Sequence, residues 1–481
     1  MLKKRLSALI LLSFATMACT ETKTSKPTPR VTMDAGESLN DSGSSMTDSG
    51  VTENPDSGMA MPGLLTVIAE VDGQALAAID ILLSRADGSF ISNHKTDLNG
   101  RLEVEIDPDT TVTMLASYQE EPMEPQQYSR QTFVGINPGD TVRIGGNGES
   151  SIDYVYVGTA SISYELPAML DYDELVVFTG CDSRYLSASE AGSSGSFEID
   201  LRGSCVSEQD QINVLGLLVK DEEVVSYASA TDLDVMDVLS SSSAIHLSNW
   251  SSDYHDHEIS LKNPRSGALG VSSEYQIFRK GLDYEYPEKF SLLMGQETTL
   301  TTPLPMNFAD KYEINLMTIY GGGFGAPPDA LTIYTKSINQ PMPSNWELDL
   351  TADIVPPIFD AVLDRSGSGP WSVTWRVEGE STIADAYFGQ VEWVDQDGEH
   401  DWIFLFPPDR VDRFQFPVIP NEFAQFRPAV TKPMIPFQLI LFDASFVDGY
   451  SDFTANHFFE LFGSGVPDGA TLSASMGGEM R

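Results

Sequence analysis

From Gly63 onward, apolar residues recur at every second position in short runs, and the runs are broken by Asp-Gly and Asn-Gly steps. Leu64–Val71 is one such run, Asp72-Gly73 a turn, and Ile79–Ser84 a second run. Asp87-Gly88 turns again, and Asp97-Leu98-Asn99-Gly100 leads into Arg101–Ile106. Period two puts alternate side chains on opposite faces of an extended strand, and Asn-Gly or Asp-Gly accepts the positive φ of a tight hairpin. Helical periodicity is nearly absent, with Ser451–Phe462 the one short exception. The pattern predicts an all-β chain of several tandem β-sandwiches.

The same reading divides the chain. Residues 20–62 are rich in Ser, Thr, Asp, Gly and Pro, with a loose repeat at Asp34-Ala35-Gly36, Asp41-Ser42-Gly43, Asp48-Ser49-Gly50 and Asp56-Ser57-Gly58. Such a composition buries too little apolar surface to fold, so residues 19–62 are expected to be a disordered linker spanning roughly 35–40 Å. Four β segments follow: 63–149, 150–262, 263–347 and a Trp-rich 348–481. The expected strands include Tyr154–Tyr164, Leu175–Thr179, Ile212–Val219, Glu313–Tyr320, Trp371–Val377, Trp402–Phe406 and Phe437–Phe442.

Within 63–149 the order is a strand, Asp-Gly, Ala77-Ala78-Ile79-Asp80-Ile81-Leu82-Leu83, Asp-Gly, then Thr96-Asp97-Leu98-Asn99-Gly100-Arg101-Leu102. This segment resembles the carboxypeptidase regulatory-like, transthyretin-like β-sandwich, with Ala75 and Ala78 standing where that module usually has Pro and Gly. The resemblance implies an Ig-like or transthyretin-like fold and a display role, not a reaction.

Lys3, Lys4 and Arg5 head an apolar run from Leu6 to Phe14, and Ala15 and Ala18 lead into Cys19. A run this short reads as a signal peptide (1–18) and not a membrane span. A cysteine at the cleavage point resembles the bacterial lipobox, although Thr16 stands where Leu is usual. The resemblance implies that Cys19 is lipidated, the alternative being an odd thiol. Thr20 in place of Asp resembles the outer-membrane sorting pattern. Together these imply an exported protein at the outer membrane or cell surface, lipid-anchored, with a periplasmic face also open. If Cys19 carries lipid, Cys181 and Cys205 remain as a pair, and an oxidising compartment lets them form a disulfide worth about 3–4 kcal/mol. Metal ligation by the pair is the other option.

The formal net charge is −43. Such a surface repels phosphate backbones and excludes nucleic acid as a partner. It also disfavours anionic lipid, except through the anchor. The acids are spread along the chain, as solubility or a saline medium would favour; cation capture is the alternative.

Among chemical motifs, Asp253-Tyr254-His255-Asp256-His257-Glu258 is the densest. On an extended strand Asp253, His255 and His257 share a face and could ligate zinc or copper with a fourth ligand. Their serine-rich flanks favour a solvated strand end instead. Asp395-Gln396-Asp397-Gly398-Glu399 reads as a hairpin turn, since it lacks the late glutamate of a calcium loop. Gly321-Gly322-Gly323-Phe324-Gly325 has no following Lys-Ser/Thr and is a loop, not a phosphate cradle. Trp346, Trp371, Trp375, Trp393 and Trp402 form either a sugar-binding platform or a sandwich core, and the even spacing of Trp371 and Trp375 favours core. Nucleophile-elbow and zincin motifs are absent. No catalytic residue or cofactor is therefore assigned. The expectation is a non-catalytic adhesion, display or binding protein with an unidentified glycan or protein ligand; the alternative is a metal-assisted hydrolase using His255 and His257.

Overall fold

The computed structural model describes residues 63–71, 73–118, 125–146, 156–168, 170–180, 182–207, 209–240, 244–293, 296–305, 308–321, 328–365, 370–395, 398–410, 412–428, 437–457 and 466–478. The signal peptide, Cys19, the linker, Cys181 and the glycine-rich residues 322–327 lie outside this set.

The described chain is all-β, and the turn chemistry explains its local form. At the Asn-Gly turn the Asp97 carboxylate accepts hydrogen bonds from the Asn99 and Arg101 amides, each 2.8 Å, which also hold its carboxyl below the usual range. Gly100 has φ +71°, and a Cβ there would collide with the Ala69 carbonyl. Only glycine fits both constraints. Thr96 Oγ1 donates to the Leu76 carbonyl at 2.7 Å and accepts from the Ile79 amide at 3.0 Å, so the hairpin is tied to the strand before it.

Two expectations are corrected. The stretch read as a solvated strand end is the start of a full strand, Tyr254–Lys262, paired on both sides with Thr298–Pro305 and Asn345–Asp349. The helical winding expected from Ser451 begins earlier, with an α-turn at Gly449–Asp452 that continues as a π-turn over Phe453–His457.

One twelve-stranded sheet organises the molecule. It runs Leu282–Leu292, Ala268–Arg279, Lys311–Tyr320, Ala330–Asn339, Thr471–Gly477, Phe437–Ala444, Ala386–Val394, Glu399–Phe406, Gln127–Ile136, Thr110–Tyr118, Asp80–Ser84 and Phe90–Lys95. Its strands come from the segments 63–149, 263–347 and 348–481. Every described pairing in it is antiparallel except the seam between Glu399–Phe406 and Gln127–Ile136, which is parallel with Trp402 opposite Arg130. The edge strand Leu282–Leu292 carries Pro287 mid-strand, and Thr298–Pro305, an edge of its own sheet, carries Pro303 and Pro305. Proline offers no N–H, so these edges are poor templates for further pairing.

Both faces of the long sheet are covered near its middle. On one face Ile81, Phe133, Phe388, Leu405 and Phe442 pack with Leu65, Val67, Val142 and Ile144 of the sheet built on Gly63–Val71. On the other, Trp402, Phe404, Tyr387 and Leu441 pack with Trp371, Val373 and Phe414 of the sheet Ile358–Asp364, Ser372–Val377, Arg413–Gln415. Further along, Tyr275, Ile314 and Leu316 pack with Ile259 and Leu261 of the Tyr254–Lys262 strand.

Residues 156–247 make two further sheets with a core of their own between them. Strand Gln211–Lys220 is buried on both sides: Val214 and Leu218 face the core under Ile162 and Leu201, whereas Leu215 and Leu217 face the core of Tyr275 and Ile259. A strand buried on both faces loses alternation and reads as a continuous apolar run, here Val214-Leu215-Gly216-Leu217-Leu218-Val219.

Candidate functional site

The Asp253–His257 stretch is not solvated as a whole. Asp253 lies before the strand and is exposed, His255 is half-buried, and His257 is 0% exposed. The expectation of an exposed cluster fails because His257 directly faces Thr302 on the neighbouring strand and continues the inward row of Ile259 and Leu261. Its Nδ1 lies 2.8 Å from the Tyr275 hydroxyl, with the rings edge to face at 86°. Burial, with His255 and Lys336 adding, pushes its pKa down to about 4. Among the described residues, no group of three His, Cys, Asp or Glu side chains is placed to hold a metal ion. A hydrolase using His257 would need it to reach substrate, and its burial removes that access.

The burial has a measurable consequence. In the unfolded chain the imidazole takes a proton below pH about 6.5, whereas in the folded chain it does so only below about 4. The unfolded state therefore binds more protons in that window, and the contribution of His257 to stability is lost as pH falls through it. Comparing the parent with H257N removes the opposing effect of Asp401 and Asp443, both pushed up to about 6 by burial. The stability difference between parent and variant should shrink by up to about 3 kcal/mol between pH 7 and pH 4, as read by urea unfolding. A difference independent of pH would contradict the buried, neutral imidazole.

A second polar cluster, which the sequence did not reveal, sits at the parallel seam. Arg130 is fully buried, and burial pulls its pKa down to about 9, with Asp401 and Asp395 opposing. Its Nε donates to the Phe426 carbonyl at 2.6 Å, and Nη1 to the Tyr128 and Asp401 carbonyls at 3.0 Å. Nη2 lies 2.9 Å from His400 Nδ1, and the guanidinium carbon lies 4.6 Å from the Trp393 ring centroid. A guanidinium can only donate, so His400 Nδ1 accepts and the ring proton is on Nε2, 3.0 Å from the Asp395 carboxylate. The ring of His400 stacks between Trp393 (4.9 Å, 3°) and Tyr128 (4.8 Å, 14°). Asp395 also closes the expected hairpin, its amide bonding the Gly398 carbonyl at 2.9 Å. Such a clamped imidazole orients a strand seam and has no open face for substrate. The signal in the sequence was faint: one basic residue inside Gln127–Ile136, and a histidine just past a turn.

The third feature is open to solvent. A cavity of about 520 Å³ lies at the end of the seam, where Asp109, Asn137, Asp140, Asp409, Arg410 and Ser451 meet. Arg410 pairs with the Asp109 carboxylate, and Asp140 accepts from Ser451 Oγ at 2.7 Å and from the Asn137 amide at 2.8 Å. A smaller cavity of about 210 Å³ shares Arg410 and adds Asp87, Arg413 and Gln415. These groups are charged or polar, and Arg410–Asp109, Ser451–Asp140 and the Gln415 bond to the Asp87 carbonyl join distant parts of the chain there.

The tryptophans settle as core. Trp371, Trp375, Trp393 and Trp402 are each at most 5% exposed, and Trp402 Nε1 donates to Thr132 Oγ1 at 2.9 Å; Trp346 is half-buried under Lys336. Cys205 is fully buried, its Sγ 3.2 Å from the Arg202 amide; its expected partner Cys181 is outside the described residues.

No protein-family model and no curated protein matches this chain. Among solved structures, the chain is similar to the Bacillus anthracis TIE protein at 10% identity, over 60% of this chain and 49% of that one, with a TM-score of 0.14. A Streptococcal ancillary pilin is matched at 8% identity over 60% of this chain and 99% of the pilin, also with a TM-score of 0.14.

Proposed function

We propose that the protein is exported, anchored by lipid at Cys19 and spaced from the membrane by residues 19–62, and that its β body binds or displays without catalysing a reaction. The observation that supports this best is the open cavity at the seam. Asp109 is held by Arg410, and Asp140 by Ser451 and the Asn137 amide, on a β scaffold, an arrangement for recognition at the outer membrane or cell surface. Asp109, Asp140 and Asp409 suit a ligand presenting ammonium or several hydroxyl groups, as a protein or a glycan does. The likeness of 63–149 to a carboxypeptidase regulatory-like module points the same way.

Mass spectrometry of the natively exported protein tests the proposal. It should yield an acylated N-terminal peptide beginning at Cys19 and a linked peptide joining Cys181 to Cys205. Cys19→Ala should move the protein out of the membrane fraction. Equal membrane retention by parent and variant, or two freely alkylated thiols at 181 and 205, would count against the anchor and the staple respectively.

A further inference from the structure

We propose that His255 and His257 form a two-imidazole site, buried at His257 and half-buried at His255, that binds copper(I). The two residues are two positions apart on strand Tyr254–Lys262, opposite Leu304 and Thr302, so their imidazoles leave the same face. The Nε2 atoms of both are shielded from solvent and have no hydrogen-bond partner among the described residues. A buried polar atom left this way costs about 1–3 kcal/mol, and two of them side by side on one strand call for a shared occupant. The Tyr275 hydroxyl holds His257 through Nδ1 and fixes the ring, leaving Nε2 as the ligating atom. A hydrogen bond on the far nitrogen is the usual support of a metal-bound imidazole.

The surroundings select the ion. With no third His, Cys, Asp or Glu converging among the described residues, nothing offsets a double charge. Ile259, Leu304 and Tyr275 belong to the same core, and the buried Thr302 lies opposite His257. The cost of burying an ion rises with the square of its charge, so this pocket favours the monovalent ion. Copper(I) is satisfied by two nitrogen ligands, whereas zinc takes four ligands.

The test is an anaerobic titration of the full-length mature protein with copper(I) in competition with bicinchoninate. The parent should take one equivalent from the chelator, with an X-ray absorption spectrum of copper bound to two nitrogens. H255Q and H257Q should each lose it. Tyr275→Phe keeps both ligands and should weaken binding by about 10–100-fold. Circular dichroism of each variant establishes that it is folded; if H257Q is not, the half-buried H255Q and Tyr275→Phe still decide the matter. No copper held against the chelator, equal uptake by H255Q and parent, or zinc(II) bound in preference to copper(I) would overturn the proposal.

Discussion

Replacing Arg130 by methionine should lower the free energy of unfolding by about 3–5 kcal/mol, the range for removing one partner of a buried charged cluster. Methionine fills much of the same volume, so little of the loss comes from a cavity. The loss comes from what is left behind. The carbonyls of Phe426, Tyr128 and Asp401 lose their donor, and His400 loses the group that fixes its proton on Nε2. The Asp401 carboxyl, already pushed up to about 6 by burial, loses the nearby cation that lowers it. The variant should therefore regain stability on mild acidification: the folded state would hold the Asp401 proton to still higher pH, and protonation relieves the buried charge. Chemical denaturation at pH 7.5 and pH 5 measures both effects. A loss below about 1 kcal/mol would place Arg130 among incidental buried residues.

What the sequence made legible was local. Gly63–Val71, Asp80–Ser84 and Arg101–Ile106 coincide with expected strands because each is bounded by a turn whose φ requirement is written in Gly or Asn. The hairpin at Asp395–Gly398 followed from the same chemistry. Strands Thr110–Tyr118, Gln127–Ile136 and Thr298–Pro305 were missed. Their sides are mixed: Thr113 and Thr132 are buried and pair at 3.0 Å, so polar identity did not mark an exposed face. His257 was misplaced for a related reason. Its flanks are serine-rich, yet burial is set by Thr302 and Tyr275, which lie 45 and 18 residues away and leave no trace in local composition. Arg130 and His400 are 270 residues apart, and only the parallel seam brings them together.

That seam also governs how much of the chain must be present to fold. A chain truncated after Glu347 should lose protection from hydrogen exchange at Val112, Phe133 and Ile136, although all three lie in the retained part. In the intact protein these side chains share a core with Phe388, Leu405, Ile440, Phe442, Phe453 and Met476, all downstream of the cut. Burying a side chain of that size stabilises by about 1.5–3 kcal/mol, so six of them together exceed or match the net stability of an ordinary domain, about 5–15 kcal/mol. The truncation also strips one neighbour from Gln127–Ile136, which pairs with Glu399–Leu405 through seven residue positions, Gln127 to Phe133. Strand Gly63–Val71 keeps its partners Arg101–Ile106 and Thr141–Gly146, but it loses part of the layer it packs on. A point change in the full chain separates this from the trauma of truncation: Leu405→Ala should cost about 2–5 kcal/mol and speed exchange at Phe133 and Phe442 together. If residues 63–146 instead exchanged at the same rates in the truncated and full-length chains, the first segment would be a self-sufficient module, and the shared core would be contact between finished domains.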